Sequence, residues 1–149
     1  MAAFRRSLAR GEMTFIMAKP DAVERGLLYQ IIKRFEVRGY RLSGMKLVSP
    51  PRQIFEAHYA HLQGREFFER MMEYMTSGPV CAMVWRGPLV VTEGRKILGA
   101  TYPADWRPGT IRGDYCTDVE RSVCHASDSV ESAEVEIKLW FPELEWDME

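Results

Sequence analysis

His125 is followed two residues later by the Ser127 hydroxyl, then by Asp128, Ser129 and a run of acids that includes Glu131, Glu134 and Glu136. A neutral imidazole is a good nucleophile near pH 7, and an acceptor on its other nitrogen fixes which one carries the proton. Lys19, Arg95, Arg107, Arg112 and Arg121 supply donors for phosphate oxygens, the arginines as paired N–H groups. The chain lacks both G-x-x-x-x-G-K-[ST] and G-x-G-x-x-G, so a phosphate site here must be built from side chains. The same five residues also fit ordinary solvated charge. His58 and His61 stand three apart and Cys124 adjoins His125, but neither C-x-x-C nor H-E-x-x-H spacing singles out a structural metal. Without a G-x-S-x-G elbow, serine hydrolysis is disfavoured.

The elements that must position these groups follow from hydrophobic period. Thr14–Ala18 is a short apolar run ended by Lys19-Pro20-Asp21, a buried strand leading into a turn. Leu27, Leu28, Ile31, Ile32 and Phe35 recur at helical spacing up to Gly39. Tyr40 to Val48 is extended, with Tyr40, Leu42, Met45 and Leu47 facing inward across an irregularity at Gly44. Ser49 caps a helix through Leu62, and Phe67 to Met75 forms a second helix whose methionines fill core. Val80–Trp85 is almost unbroken in apolarity and reads as a central strand. Thr92 caps a helix ending at Gly99, and the long stretch from Thr101 to Cys116 is a loop held in order by Tyr102, Trp106 and Ile111. Val123–Ala126 is the last strand, and Asp128 or Ser129 caps the helix that carries Glu136. This alternation predicts an α/β sandwich with a ferredoxin-like βαββαβ core, a small antiparallel sheet covered by helices.

At 149 residues the chain is expected to hold one domain, residues 13–149, behind a flexible N-terminal tail, residues 1–12. A net charge of −1 argues against dedicated nucleic-acid binding. No apolar run reaches the length of a bilayer span, and three sparse cysteines suit reduced thiols, so the expected setting is the cytoplasm, away from membranes.

T-F-I-M-A-K-P-D-A-V-E-R-G-L, S-G-P-V-C-A-M-V-W, G-A-T-Y-P-A-D with P-G-T-I-R-G-D, and H-A-S-D-S-V-E-S-A-E with W-F after it occur in one order from Thr14 to Phe141. In this the sequence resembles the nucleoside diphosphate kinases. The resemblance implies ping-pong transfer of the γ-phosphoryl of ATP, or another triphosphate, to a nucleoside diphosphate through a phosphohistidine on His125, with broad base specificity. It implies that Glu136 and Ser127 orient the ring, that Tyr59 lies beside it, and that Arg95, Thr101 and Arg112 bind phosphate. Lys19 falls at the ribose hydroxyls and the transferring phosphate, Phe67 and Val119 on the two sides of a base slot. The resemblance also implies that Asp128 holds phosphate-bound Mg2+ through water. A homo-oligomer is implied, a homo-hexamer first and lower orders after it.

Two departures stand out. Ser122 occupies the place of an asparagine that bonds the ribose 3′-hydroxyl, and losing such a bond costs about 0.5–1.5 kcal/mol. Tyr102 and Trp106 replace small polar residues of a loop that packs at the three-fold contact of a hexamer. They leave a second reading, a catalytically weakened family member acting as an interaction or nucleic-acid-binding module.

Overall fold

The computed structural model describes residues 11–144, so the first ten residues of the tail expected over 1–12 lie outside it. Glu12, counted above with that tail, is the first residue of a strand. Strands β1 (Glu12–Ala18), β2 (Arg41–Val48), β3 (Val80–Gly87) and β4 (Cys124–Ala126) form one four-stranded sheet in the order β2-β3-β1-β4, every neighbour antiparallel. Among the described residues the helices are α1 (Pro20–Glu24), α2 (Leu28–Val37), α3 (Arg52–His58), α4 (Phe68–Met75), α5 (Val90–Leu98), α6 (Ile111–Tyr115) and α7 (Val130–Trp140). This is the expected ferredoxin-like sandwich.

Side chains alternate across a strand, and both central strands are apolar on both faces, so the sheet separates two cores. Ile16, Ala18, Cys81, Met83 and Trp85 pack with Ile31, Phe35, Val90 and Leu98 of α2 and α5 on one face. Met13, Phe15, Met17, Ala82 and Val84 pack with Phe55, Met72, Ile137 and Trp140 of α3, α4 and α7 on the other.

Several expectations need correction. Lys19-Pro20-Asp21, read as a turn, leads instead into a short helix, Pro20–Glu24, opened by a proline at a position that needs no N–H. Ser49 does not cap α3; the N-cap is Pro51, and the helix stops at His58 before a separate 3-10 turn at Ala60–Leu62. Thr92 lies inside α5, whose N-cap is Leu89 in the left-handed region, φ 56°. Leu42, Met45 and Leu47 pair with Trp85, Met83 and Cys81 and so share one face, as expected. All three are nonetheless exposed, because β2 is the edge strand and the described helices do not reach across it.

The long loop is ordered by its own hydrogen bonds as well as by its apolar side chains. Thr110 caps α6 by accepting from Gly113 N at 3.0 Å and donates to Arg107 O at 2.7 Å. Gly113 has to be glycine: a Cβ there would stand 1.8 Å from Arg107 O. Arg34 of α2 fastens the loop through Asp114 at 2.6 Å and Gly109 O at 3.0 Å.

Candidate active site

The carboxyl end of β1 and the short strand β4 meet where the charged groups gather. His125 pairs with Met17, which sends its side chain to the face covered by α7. Ser129 caps α7 by accepting from Ser132 N at 3.0 Å. Glu136 and Trp140, four apart, then project from one face of that helix toward the ring.

Nε2 of His125 lies 3.1 Å from Glu136 Oε1, and Ser127 Oγ donates to the same oxygen at 2.6 Å. Ser127 is buried and also accepts from Phe15 N at 3.1 Å, so it ties the carboxylate to β1. A carboxylate only accepts, so Nε2 carries the proton and Nδ1 keeps the in-plane lone pair. On the far side of Glu136, Trp140 Nε1 donates to His58 Nδ1 at 3.0 Å. That bond commits the His58 proton to Nε2, which faces Glu136 Oε2 at 3.9 Å.

His58, His125 and Glu136 bring ligand atoms within 4.8 Å of one another, a donor set that fits a divalent ion by type. The Trp140 bond argues against it, because a ligating His58 Nε2 would have to give up the proton that Trp140 keeps there. His58 Nε2 is thus left buried with its proton toward Glu136 and no hydrogen bond of its own among the described residues, a placement that its spacing from His61 did not suggest.

Arg95 of α5 donates to Ala126 O and Arg112 of α6 to Cys124 O, both at 3.1 Å. The two guanidinium groups thus hang from the carbonyls on either side of His125. Arg112 Nε and Nη1 are buried without a hydrogen bond in the protein, donors aimed at no protein acceptor. Lys19 Nζ donates to Ser122 Oγ at 2.8 Å across 103 residues of sequence. Between these parts Val123 sits at φ 70°, with Cys124 N bonded to Ser122 O at 2.7 Å. A β-branched residue in that left-handed turn stores about 1–3 kcal/mol, here two residues before His125.

Burial, then the charges of Lys19, Arg95 and Arg112, lower the His125 pKa to about 3, and burial lowers that of His58 to about 3. Both imidazoles are neutral near pH 7, while the His125 side chain keeps 20% exposure and so remains reachable. Lys19 is lowered to about 8 by burial and then by Arg112. Burial raises Glu136, against the opposing pull of His58 and Ser127.

A cavity of about 570 Å3 adjoins this cluster, lined by Phe67 and Val119 together with Lys19, Ser122 and Tyr74. Tyr59 is buried, its ring 6.4 Å from that of His125, and burial raises its hydroxyl pKa. Asp128 is exposed; a hydrogen bond from Ser132 lowers its carboxyl pKa, and its charge acts on His125. Thr101 is exposed beyond α5, and among the described residues no hydrogen bond joins it to the others. Arg107 turns away to Ala104 O and Trp106 O. Tyr102 is 71% exposed, whereas Trp106 Nε1 is held by Ala100 O at 3.1 Å.

The sequence profile described as nucleoside diphosphate kinase matches residues 12–146. A nucleoside diphosphate kinase of Aspergillus fumigatus is 60% identical over 130 residues, covering 87% of this chain and 85% of that protein. Nucleoside diphosphate kinase 1 of Glycine max is 58% identical over 132 residues, 89% of each. The crystal structure of the Encephalitozoon cuniculi apo enzyme superposes with a TM-score of 0.85 at 51% identity, covering 87% of this chain and 88% of that one. A Babesia bovis family protein gives 0.86 at 40% identity, covering 91% and 94%. On this evidence the chain belongs to the nucleoside diphosphate kinase family and is a phosphotransferase acting on nucleotides.

Proposed function

We propose that this kinase carries the phosphoryl group on His125 Nδ1. The observation that carries the reading is the 3.1 Å contact of Nε2 with Glu136, which leaves the other ring nitrogen free as nucleophile. The Nδ1 lone pair forms a bond to the γ-phosphorus of a nucleoside triphosphate as the bond to the β-phosphate oxygen breaks. The diphosphate departs with that electron pair. A second diphosphate reverses the step.

Glu136 offsets the positive charge that appears on the ring, and the Ser127 hydroxyl holds Glu136 in place. Arg95 and Arg112 flank the ring and Lys19 adjoins it, so their charges face the phosphoryl oxygens, where transition-state charge spreads. Thr101 is assigned to phosphate by the family resemblance. Phe67 and Val119 are proposed to enclose the base by apolar contact, which suits every base, and Lys19 and Ser122 to meet the ribose. Tyr59 limits the ring's movement.

Mg2+ is proposed as the cofactor. An ionised, exposed Asp128 fits it, because Mg2+ takes one or two carboxylates along with water and phosphate oxygens. When bound, the ion neutralises phosphate charge.

Purified protein mixed with labelled ATP and Mg2+ should acquire label on His125, in a bond stable to alkali and broken by acid, and pass it to GDP. Transfer that survives His125→Ala would overturn the assignment.

A cytoplasmic homo-hexamer is also proposed. It is supported by the family and by the exposed Leu42, Met45 and Leu47 on edge strand β2. Among the described residues, no helix is long and apolar enough to cross a membrane. Sedimentation equilibrium at a monomer or dimer mass would refute the hexamer.

A further inference from the structure

The two walls of the base slot are joined at the rim by charges that neither the phosphate site nor the ring uses. One wall is α4. The other is the segment 117–121, whose regular structure is a single bridge between Asp118 and Arg121, tightened where Asp118 Oδ1 accepts Glu120 N–H at 2.9 Å.

Two side-chain contacts fasten that segment to α4. Arg70 Nη2 donates to Glu120 Oε1 at 2.7 Å, and Arg70 Nε reaches both carboxylate oxygens at 3.2 Å. The Arg121 guanidinium lies 5.6 Å above the Tyr74 ring, and the Tyr74 hydroxyl donates to Asp21. Arg70, Tyr74, Glu120 and Arg121 all line the 570 Å3 cavity with Phe67 and Val119. Whatever draws the segment toward α4 therefore sets the width of the slot.

We propose that Arg70 and Glu120 form a clasp across the mouth of the slot, which opens to admit a nucleoside and closes again over its base. The proposal rests on the reading of the slot given above. Both side chains are more than half exposed, at 60% and 55%, so the pair biases the slot toward closure without locking it. It also weakens with salt, as exposed pairs do. The clasp acts on retention of the base, while the phosphate is held by other residues.

Stopped-flow release of a nucleoside diphosphate carrying a fluorescent base tests this on the whole protein. Arg70→Ala and Glu120→Ala should each speed release by about two- to fivefold. The double variant should be no faster, and the exchanged pair, Arg70→Glu with Glu120→Arg, should return toward the original rate. Added salt should shrink the difference between the parent and Arg70→Ala. Pyrophosphate, which meets the phosphate ligands without filling the slot, should bind all variants alike.

Unchanged release rates, additive effects in the double variant, or a parallel loss of pyrophosphate binding would each overturn the clasp. Phosphoramidate, which needs no base site, separates this from the underlying reading. If it phosphorylates His125 and a nucleoside diphosphate fails to discharge the label from the parent protein, the underlying reading falls. Normal discharge with unaltered release in the variants removes the clasp alone.

Discussion

Glu136 Oε1 stands 3.1 Å from His125 Nε2 while its other oxygen faces His58 Nε2 at 3.9 Å, so one carboxylate lies between two neutral imidazoles. Trp140 fixes the tautomer of the outer ring, and the carboxylate fixes that of the inner one.

Replacing Glu136 with Gln keeps the size of the side chain and removes its charge. The rate of His125 phosphorylation in a single turnover should fall about a hundredfold, with nucleotide affinity nearly unchanged. An equal loss in affinity and rate would show that Glu136 shapes the pocket rather than supporting the ring.

Arg112 is buried with two donor atoms that find no protein acceptor, and burial lowers its pKa. Arg112→Met should raise the melting temperature of the nucleotide-free protein by roughly 2–4 °C, for about 1 kcal/mol regained. It should also weaken pyrophosphate binding at least tenfold. A lower melting temperature would make Arg112 a brace of β4 instead of a ligand kept at a cost to stability.

The histidines determine the acid side of the pH profile. His125 and His58 titrate at about 3 in the folded chain against 6.5 unfolded, so between these values the unfolded chain binds more protons. Their contribution to stability is complete above about pH 6.5 and is lost as pH falls toward 3. Lys19 is lowered to about 8 from 10.5, so burying its ammonium costs stability in full below pH 8, and the cost vanishes above 10.5. The imidazole NMR signals of His125 and His58 should stay fixed from pH 7.5 down to about 4.5. Activity should decline above pH 8 as Lys19 loses its charge. A His125 signal titrating near 6.5 would contradict the burial argument.

Ser122 is buried and its hydroxyl accepts from Lys19 at 2.8 Å, so it holds the lysine with a short side chain. Ser122→Asn should raise kcat/KM for a nucleoside diphosphate about two- to tenfold, the worth of one regained hydrogen bond to ribose. A 3′-deoxy substrate should show no such gain. Equal improvement on both substrates would remove ribose contact as the cause.

The central strands were readable because β1 and β3 are buried on both faces and leave an apolar run that few other elements share. The helices α1 and α6, of five residues each, were not, because a segment so short completes barely one period. Placing β2 correctly still left open what covers it: the paired face of Leu42, Met45 and Leu47 follows from register, while its exposure depends on where α2 and α5 lie. Leu89 could not have been found as a helix cap, since a left-handed leucine has no local signal.

The sequence by itself determined which groups could react: His125 with Ser127 and Glu136 at fixed spacing, Lys19 and Arg112 within the family-like motifs, and Arg95 on the helix between two of them. Only the tertiary structure decided how they serve one another. Trp140 reaches His58 across 82 residues and Lys19 reaches Ser122 across 103, while Arg95 and Arg112 hang from the carbonyls beside His125. These contacts follow from the antiparallel register of β4 on β1 and from the angle at which α7 crosses the sheet. Neither is encoded in any window of neighbouring residues, because both emerge from packing two cores against one sheet.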